Sequence, residues 1–195
     1  MRVQLRIVAG SLRGRKLNCT VSPTLRPAPE RLREALFSIL GDAVPGRPFF
    51  DLFAGTGAVG FEALSRGATA VTFIERDFRT ANEIDEHLQE FGVADRSTVV
   101  RADAYRWAQR WPGAAEPVTI FLGPPYPDFQ RRPEELLALV AALQLKVCPG
   151  SVLAVQSEET LPWPQQPGGG PWDERNYGRN MLAIWVNEGP RTGVS

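Results

Sequence analysis

Residues 49–60 read FFDLFAGTGAVG, and this stretch decides the fold. A short apolar run ends near the carboxylate of Asp51, a glycine-rich turn follows, and residues 61–66 continue in a helix-like pattern. A buried strand that leads through a tight loop into a helix N-terminus is the geometry that cradles nucleotide-like ligands. The stretch therefore predicts a binding loop at the carboxyl end of a strand.

Two kinds of ligand are compatible with the glycines of this loop. Gly55, Gly57 and Gly60 fit the G-x-G-x-x-G pattern of dinucleotide sites. However, Asp51 precedes the glycines, where it would repel the phosphates of a dinucleotide. A later apolar run ends in the turn 123–126 (GPPY), which a dinucleotide enzyme does not need. A carboxylate beside a glycine loop suits a cationic, phosphate-free ligand such as S-adenosylmethionine, so we expect a methyltransferase, with a dehydrogenase as the alternative.

Composition and charge limit the class of protein. The 195 residues, 43% hydrophobic and 23% charged, are typical of one globular domain. The net charge is zero, but residues 1–33 hold eight basic side chains and one acidic one, so this head carries +7 and the remainder −7. Clustered arginine and lysine are typical of a surface that faces a polyanion. A solvated arginine-rich face is the alternative.

The cysteines and the N-terminus indicate the environment of the chain. Cys19 and Cys148 are far apart and in no metal-ligand spacing, so we expect reduced thiols and no metal site. The first residues contain no apolar signal core, and no segment approaches ~18 consecutive apolar residues. We therefore expect a cytoplasmic protein without a membrane partner, and a monomer by default.

Strand-like and helix-like patterns alternate along most of the chain. A glycine-bounded hairpin near 4–9 and 15–21 is followed by a proline-rich connector and a helix over 29–40. Further strands are predicted near 48–53, 70–75, 97–101, 117–122 and 151–156, with helices near 58–66, 78–91, 103–111 and 133–145. This alternation favours an α/β fold with a parallel sheet and helices on both faces. Two last strands, near 172–177 and 181–187, should pair antiparallel.

The chain is accordingly divided into three parts. Residues 1–28 form the basic hairpin extension and its connector, 29–190 form the main α/β domain, and 191–195 form a tail.

The candidate binding residues follow the ends of the predicted strands, where open α/β sheets bind ligands. Glu75 is placed to accept hydrogen bonds from a ribose diol. Asp103 and Ala104 are placed to bound an adenine, although Asp103 could instead be a helix N-cap. Phe53 could pack near the methionine chain of the ligand or belong to the core. The expected cofactor-binding residues are Asp51, Phe53, Ala54, Gly55, Thr56, Gly57, Glu75, Arg76, Asp103 and Ala104.

The turn made of Gly123, Pro124, Pro125 and Tyr126 is the predicted catalytic loop. To be methylated, an exocyclic base amine must leave the stack and be held in a pocket. The carbonyl of Pro124 could accept one amine hydrogen, and Tyr126 could stack on the base. The alternative is a rigid loop with a half-buried aromatic side chain.

These motifs resemble one family, the RsmD-type methyltransferases, over nearly the whole chain. The resemblance rests on 6–10 (RIVAG), 13–17 (RGRKL), Arg26-Pro27, 31–37 (RLREALF) and 51–68 (DLFAGTGAVGFEALSRGA). It implies a Rossmann-like class I fold with a seven-stranded sheet, S-adenosylmethionine as the methyl donor, and the N2 amine of a guanine in 16S ribosomal RNA, naked or in a small-subunit assembly particle, as the acceptor. It also implies that the basic hairpin contacts RNA, and the residues expected to do so are Arg13, Arg15, Lys16, Arg26 and Arg33.

The chain departs from the family pattern at three positions. Gly123 replaces the Asp or Asn that precedes Pro-Pro-Tyr, Ala28 replaces a Thr after Arg26-Pro27, and Gln156 stands where an acid is often found. Gly123 matters most, because glycine has no side-chain acceptor for the amine. The alternatives are therefore a catalytically weakened family member that binds cofactor and RNA, or a methyltransferase for another base amine in RNA or DNA.

Overall fold

The computed structural model describes residues 1–21, 27–166 and 169–189. An N-terminal hairpin precedes a layered α/β body. The strands are β1 (Arg2–Arg6), β2 (Lys16–Thr20), β3 (Pro48–Leu52), β4 (Ala70–Glu75), β5 (Ser97–Arg101), β6 (Thr119–Leu122), β7 (Val152–Ser157), β8 (Asp173–Tyr177) and β9 (Asn180–Val186). The helices are α1 (Glu30–Leu40), α2 (Ala58–Ser65), α3 (Phe78–Glu90), α4 (Ala104–Arg110), α5 (Tyr126–Arg131) and α6 (Pro133–Gln144), with 3₁₀ turns at Gly41–Ala43 and Ala94–Arg96.

The main sheet has seven strands in the order β5-β4-β3-β6-β7-β9-β8. Strands β3 to β7 pair in parallel, and β9 pairs antiparallel with both β7 and β8. This confirms the predicted Rossmann-like sheet with an antiparallel C-terminal hairpin, and β1 and β2 confirm the N-terminal hairpin. The strand order reverses between β3 and β6, and ligands bind at such a reversal, outside the carboxyl ends of the strands.

Each face of the sheet has its own hydrophobic core. Phe49, Phe73 and Phe121 point to the face that is covered by α1, α2, α3 and the hairpin. Leu52 and Leu122 point to the opposite face, which α4, α5 and α6 cover. Because side chains alternate along a strand, residues that are two positions apart lie on the same face of the sheet. This alternation fixes which side chains meet at the carboxyl edge.

The hairpin is attached to the body by hydrogen bonds from its backbone to side chains of two helices. The N–H groups of Val8 and Ala9 donate to the two carboxylate oxygens of Glu62 on α2, at 2.9 and 3.1 Å. The N–H of Asn18 donates to Nε2 of His87 on α3 at 3.0 Å. The hairpin therefore packs against α2 and α3, on the side of the sheet that these helices cover.

The structure differs from the sequence-based expectation mainly after β6. Tyr126–Arg131 form the short helix α5, whereas the sequence predicted only a turn before a helix at 133. Arg132, with φ −138°, separates α5 from α6. Pro127 and the six-residue length hide the helical periodicity of this segment. The predicted tail, 191–195, lies outside the described residues.

Within the described ranges, no helix is long and apolar enough to cross a membrane. Among the same residues, no group of three or more His, Cys, Asp or Glu side chains is arranged to hold a metal ion.

Candidate active site

A cavity of about 990 Å³ opens at the carboxyl ends of the central strands. It brings together most of the residues that the sequence singled out. They are Asp51, Phe53, Ala54, Gly55, Thr56, Glu75, Arg76, Asp103, Ala104 and the turn Gly123, Pro124, Pro125 and Tyr126. Gly57 ends the same loop as the N-cap of α2, with its N–H donating to the carbonyl of Ala54. The glycine loop and the Gly-Pro-Pro-Tyr turn thus line the same cavity.

The loop between β3 and α2 follows an unusual backbone path. Gly55 and Gly57 have φ +54° and +72°, which glycine adopts without steric cost. Phe53 also lies in the left-handed region, at φ +62°. A bulky residue there is strained, and such strain concentrates at binding sites. The conformation of Phe53 therefore makes this loop a candidate binding segment.

Gly60 lets α2 approach the sheet closely. A Cβ at Gly60 would lie 2.2 Å from Cε1 of Phe73, so any larger residue would push α2 away from β4. The N–H of Gly60 donates to Oδ2 of Asp51 at 2.9 Å. The third glycine of the motif therefore sets both the helix position and the orientation of the Asp51 carboxylate.

Asp51 is buried, with 1% of its surface exposed. Burial raises its pKa to about 8; the N–H of Gly60 acts in the opposite direction, and the negative charge of Glu75 adds to the rise. A positive ligand group placed beside this carboxyl would favour its ionised form. Asp51 is thus suited to bind a cation.

Glu75 joins the end of β4 to the glycine loop. One carboxylate oxygen accepts the N–H of Gly55 and the other accepts the N–H of Asp77, both at 2.8 Å. A carboxylate oxygen can accept more than one hydrogen bond, so Glu75 can also accept from a ligand hydroxyl. Asp103 accepts the N–H of Arg106 at 3.1 Å and caps α4, while it also lines the cavity. The N-cap alternative for Asp103 is therefore realised beside its position in the site.

The Gly-Pro-Pro-Tyr turn is fixed to the sheet at one end and to α5 at the other. The N–H of Gly123 donates to the carbonyl of Leu52 at 3.2 Å, which continues the pairing of β6 with β3. The carbonyl of Pro125 accepts the N–H of Asp128 at the start of α5. Tyr126 is 46% exposed, and its hydroxyl accepts from Nε2 of Gln130 at 3.0 Å. The Tyr126 ring is thus held on α5 with much of its surface open.

Tyr105 links the glycine loop to α5. Its hydroxyl donates to Oδ2 of the buried Asp128 at 2.8 Å, and its ring centroid lies 5.3 Å from that of Phe53. The guanidinium carbon of Arg132 lies 4.1 Å from the Tyr105 ring centroid. Burial and the bond to Asp128 raise the Tyr105 pKa, so the hydroxyl remains a donor. Tyr105 therefore contacts both the glycine loop, through Phe53, and α5, through Asp128.

Comparison with known proteins shows the family of this chain. The family model described as "Conserved hypothetical protein 95" matches residues 5–186. The chain belongs to this family. Its membership confirms the RsmD-type resemblance seen in the sequence.

Relatives within the family are similar over much of their length. A protein of Haemophilus influenzae named ribosomal RNA small subunit methyltransferase D is 33% identical over 160 residues, which is 82% of this chain and 81% of the relative. The protein of the same name from Escherichia coli K12 is 39% identical over 124 residues, 63% of this chain and 61% of the relative. The solved structure of yhhF from Escherichia coli is 30% identical, with a TM-score of 0.79, and covers 96% of this chain and 99% of that one.

The five residues that were expected to contact RNA differ in their surroundings. Arg13, Arg15 and Lys16 are exposed on the hairpin. Arg26 lies outside the described residues. Arg33 is 1% exposed and faces the interior, so the expectation that it contacts RNA is wrong. Its guanidinium donates hydrogen bonds within the fold, to the carboxylate of Glu62 and to the carbonyl of Arg6.

Several residues of the cavity and its supports were not predicted as site residues. Gln156, Arg179 and Asn180 line the cavity, and Tyr105 and Asp128 brace its walls. Arg179 and Asn180 lie at the turn between β8 and β9, which reaches the cavity only because β9 pairs with β7. That pairing joins segments far apart along the chain, so no local motif could have indicated it.

Proposed function

We propose that the chain is an S-adenosylmethionine-dependent methyltransferase that acts on the N2 amine of a guanine in 16S ribosomal RNA. The observation that carries the proposal is the single cavity shared by the glycine loop and the Gly-Pro-Pro-Tyr turn. A donor held by the first and a base held by the second would meet there. The relatives named ribosomal RNA small subunit methyltransferase D support RNA as the substrate.

The residues of the cavity fit the methyl donor. Its volume of about 990 Å³ is within the range that accommodates a ligand of this size. Asp51 would face the positive end of the donor, Glu75 would accept from the ribose hydroxyls, and Asp103 with Ala104 would bound the adenine. When bound, S-adenosylmethionine supplies the methyl group: its C–S bond breaks with the electron pair left on sulfur, the amine lone pair forms the new N–C bond, and the amine then releases a proton to water.

The Gly-Pro-Pro-Tyr turn would hold the base. The amine lone pair is delocalised into the guanine ring, so acceptors that bind the amine hydrogens favour the pyramidal nitrogen of the transition state. The carbonyl of Pro124 can be one such acceptor, since proline retains its C=O. The Tyr126 ring can stack on the base, an interaction that contributes about 1–3 kcal/mol. Removing the base from its RNA stack is required for this contact.

The hairpin would bind RNA beside the cavity. Thr20 and Val21, at the end of β2, line the cavity, so this end of the hairpin lies beside it. Arg13, Arg15 and Lys16 project from the same hairpin and are exposed. Phosphate contacts by such side chains supply affinity and orientation without reading sequence. The domain division into hairpin extension and methyltransferase domain is part of this proposal, as is a monomeric enzyme acting on 16S RNA or a small-subunit particle.

One observation favours a second candidate, a weakened member that binds both ligands. Gly123 presents no side-chain acceptor where the family has Asp or Asn. The loss of one catalytic hydrogen bond costs about 1.5–4 kcal/mol in the transition state, or about tenfold to a thousandfold in rate.

Two measurements test the proposal. Calorimetry with S-adenosylmethionine and with a nicotinamide dinucleotide should show binding of the first alone, with Asp51→Ala losing that binding while its circular dichroism spectrum is unchanged. Methyl transfer is then followed on undermodified 16S RNA, on the small-subunit particle, on tRNA and on duplex DNA, with nucleoside analysis for N2-methylguanosine. Transfer to tRNA or DNA with none to 16S RNA would overturn the assignment. Binding of both ligands without measurable transfer would establish the second candidate.

A further inference from the structure

Gln156 lies beside Gly123 in the sheet. Strands β6 and β7 pair in parallel with Leu122 opposite Val155, so the next residue of each chain, Gly123 and Gln156, are neighbours. Paired strands are about 4.8 Å apart, which a glutamine side chain can span. A group on Gln156 can therefore reach the space next to Gly123.

Both positions also face the same side of the sheet. Phe121 and Ala154, two residues before Gly123 and Gln156, belong to the core beneath α1, α2 and α3. A Cβ built on Gly123 would lie 3.1 Å from Cε1 of Phe121, which places it on that side as well. The side chain that Gly123 lacks would therefore occupy the region toward which Gln156 projects.

The amide of Gln156 is oriented by one neighbour. Its Nε2 donates to Oδ1 of Asn180 at 3.1 Å, and Gln156 is half-buried in the wall of the cavity. With the nitrogen committed to Asn180, the amide oxygen is the atom that can accept from a ligand. Pro124 and Tyr126 line the same cavity.

The two nearby carboxylates are less suited to replace the missing acceptor. Asp128 is buried at α5, where it accepts the hydroxyl of Tyr105. Glu158 lines the cavity but is exposed to water, which weakens a hydrogen bond to substrate.

We propose that the amide oxygen of Gln156 accepts a hydrogen of the substrate amine in place of the side chain absent at Gly123, and that Asn180 orients it. This rests on the proposed methyl transfer to a base amine. The bonds made and broken are those given above, and Gln156 exchanges no proton: it binds one amine hydrogen as the nitrogen becomes pyramidal, and the proton lost from nitrogen goes to water. The amide oxygen of Gln156 would thus be a second, neutral acceptor for the substrate amine, beside the carbonyl of Pro124.

Substitution of Gln156 tests this role. Gln156→Met keeps the length of the side chain but replaces the amide oxygen with a thioether, which is a weak acceptor, and we expect kcat to fall about tenfold to a hundredfold. The KM for RNA and the Kd for S-adenosylmethionine should change less than about threefold, because the bond strengthens only in the transition state. Gln156→Glu retains an acceptor and should keep kcat within about threefold of the wild type. Gln89→Ala, an exposed glutamine on α3, is the matched control and should leave kcat unchanged.

Rescue distinguishes catalysis from simple packing. Gly123→Asn should restore most of the lost kcat in the Gln156→Met background, which a packing defect would not allow. Gln156→Leu provides the same comparison should Gln156→Met fail to fold, as judged by thermal unfolding. An active wild type with equally active Gln156→Met and Gln156→Leu variants would overturn the role of Gln156 and leave the proposed function standing. A wild type that binds S-adenosylmethionine but methylates no base amine would overturn both.

Discussion

The guanidinium of Arg33 lies 3.3 Å from the carboxylate of Glu62, and both side chains are buried, with 2% and 0% of their surfaces exposed. Glu62 also accepts the N–H groups of Val8 and Ala9 and the Nε of Arg66. Burial lowers the pKa of Arg33, an effect that the charge of Glu62 opposes. One carboxylate therefore connects α1, α2 and the N-terminal hairpin, and an arginine of the basic head serves the fold rather than RNA.

Loss of Arg33 should destabilise the protein strongly. Arg33→Met leaves Glu62 buried with one cationic partner fewer, and removal of one member of a buried pair costs about 3–5 kcal/mol in the free energy of unfolding. Arg6→Met is the control, because Arg6 pairs with Glu30 at the surface and exposed pairs contribute about 0–1 kcal/mol. Urea unfolding measures both. Equal effects of the two substitutions would contradict the structural role of Arg33.

The raised pKa of Asp51 predicts a pH-dependent stability in the absence of ligand. The pKa is about 8 in the folded protein and near 3.8 for an ordinary Asp, so between these values the folded chain holds a proton that the unfolded chain has lost. The protonated carboxyl of Asp51 therefore makes its full contribution to the free energy of unfolding below about pH 4, and this contribution is lost as pH rises through 8. The free energy of unfolding should fall by at most about 1.4 kcal/mol per pH unit. Asp51→Asn should remove this part of the dependence of the free energy of unfolding on pH. Parallel curves of stability against pH for the two proteins would refute the raised pKa of Asp51.

How far the sequence predicts the site depends on how local each signal is. Asp51 and the glycine loop are contiguous, and the ends of parallel strands meet at one edge, so Glu75, Asp103 and the Pro-Pro-Tyr turn could be placed together from spacing alone. Counting charge misassigned Arg33, because its partner Glu62 is 29 residues away and only the packing of α1 against α2 joins them. The relation between Gly123 and Gln156 needs the register of β6 and β7, which sequence alone does not supply.

Arg13, Arg15 and Lys16 should account for part of the salt dependence of RNA binding. Replacing all three with Ala removes up to three phosphate contacts, so the slope of log affinity against log salt should become shallower by about two to three. Arg110→Ala is the control, because Arg110 is exposed on α4, across the sheet from the hairpin. Cofactor affinity, measured by calorimetry, should be unchanged in both variants. An unaltered slope in the triple variant would return these residues to the role of a solvated surface.

Tyr126 should act on binding of the flipped base. Tyr126→Ala removes the stacking surface, so productive RNA binding should weaken by about 1–3 kcal/mol. This loss should appear mainly as a higher KM. Tyr126→Phe keeps the ring and loses only the hydroxyl that accepts from Gln130, and it should resemble the wild type. Steady-state kinetics on 16S RNA separates the two variants. If Tyr126→Phe is as impaired as Tyr126→Ala, the hydroxyl rather than the ring carries the effect.

Gly123→Asn should be tolerated and should raise kcat. Gly123 does not have the positive φ that would make a side chain strained, and the new Cβ would require the Phe121 ring to move by only a few tenths of an ångström. The added acceptor would bind the amine most strongly in the transition state, so the gain should appear in turnover rather than in KM. With Gln156 present the gain should be modest, whereas in the Gln156→Met background it should reach about tenfold or more. Equal gains in the two backgrounds would mean that the two acceptors act independently, and a stable Gly123→Asn variant with lower kcat would mean that the turn requires glycine.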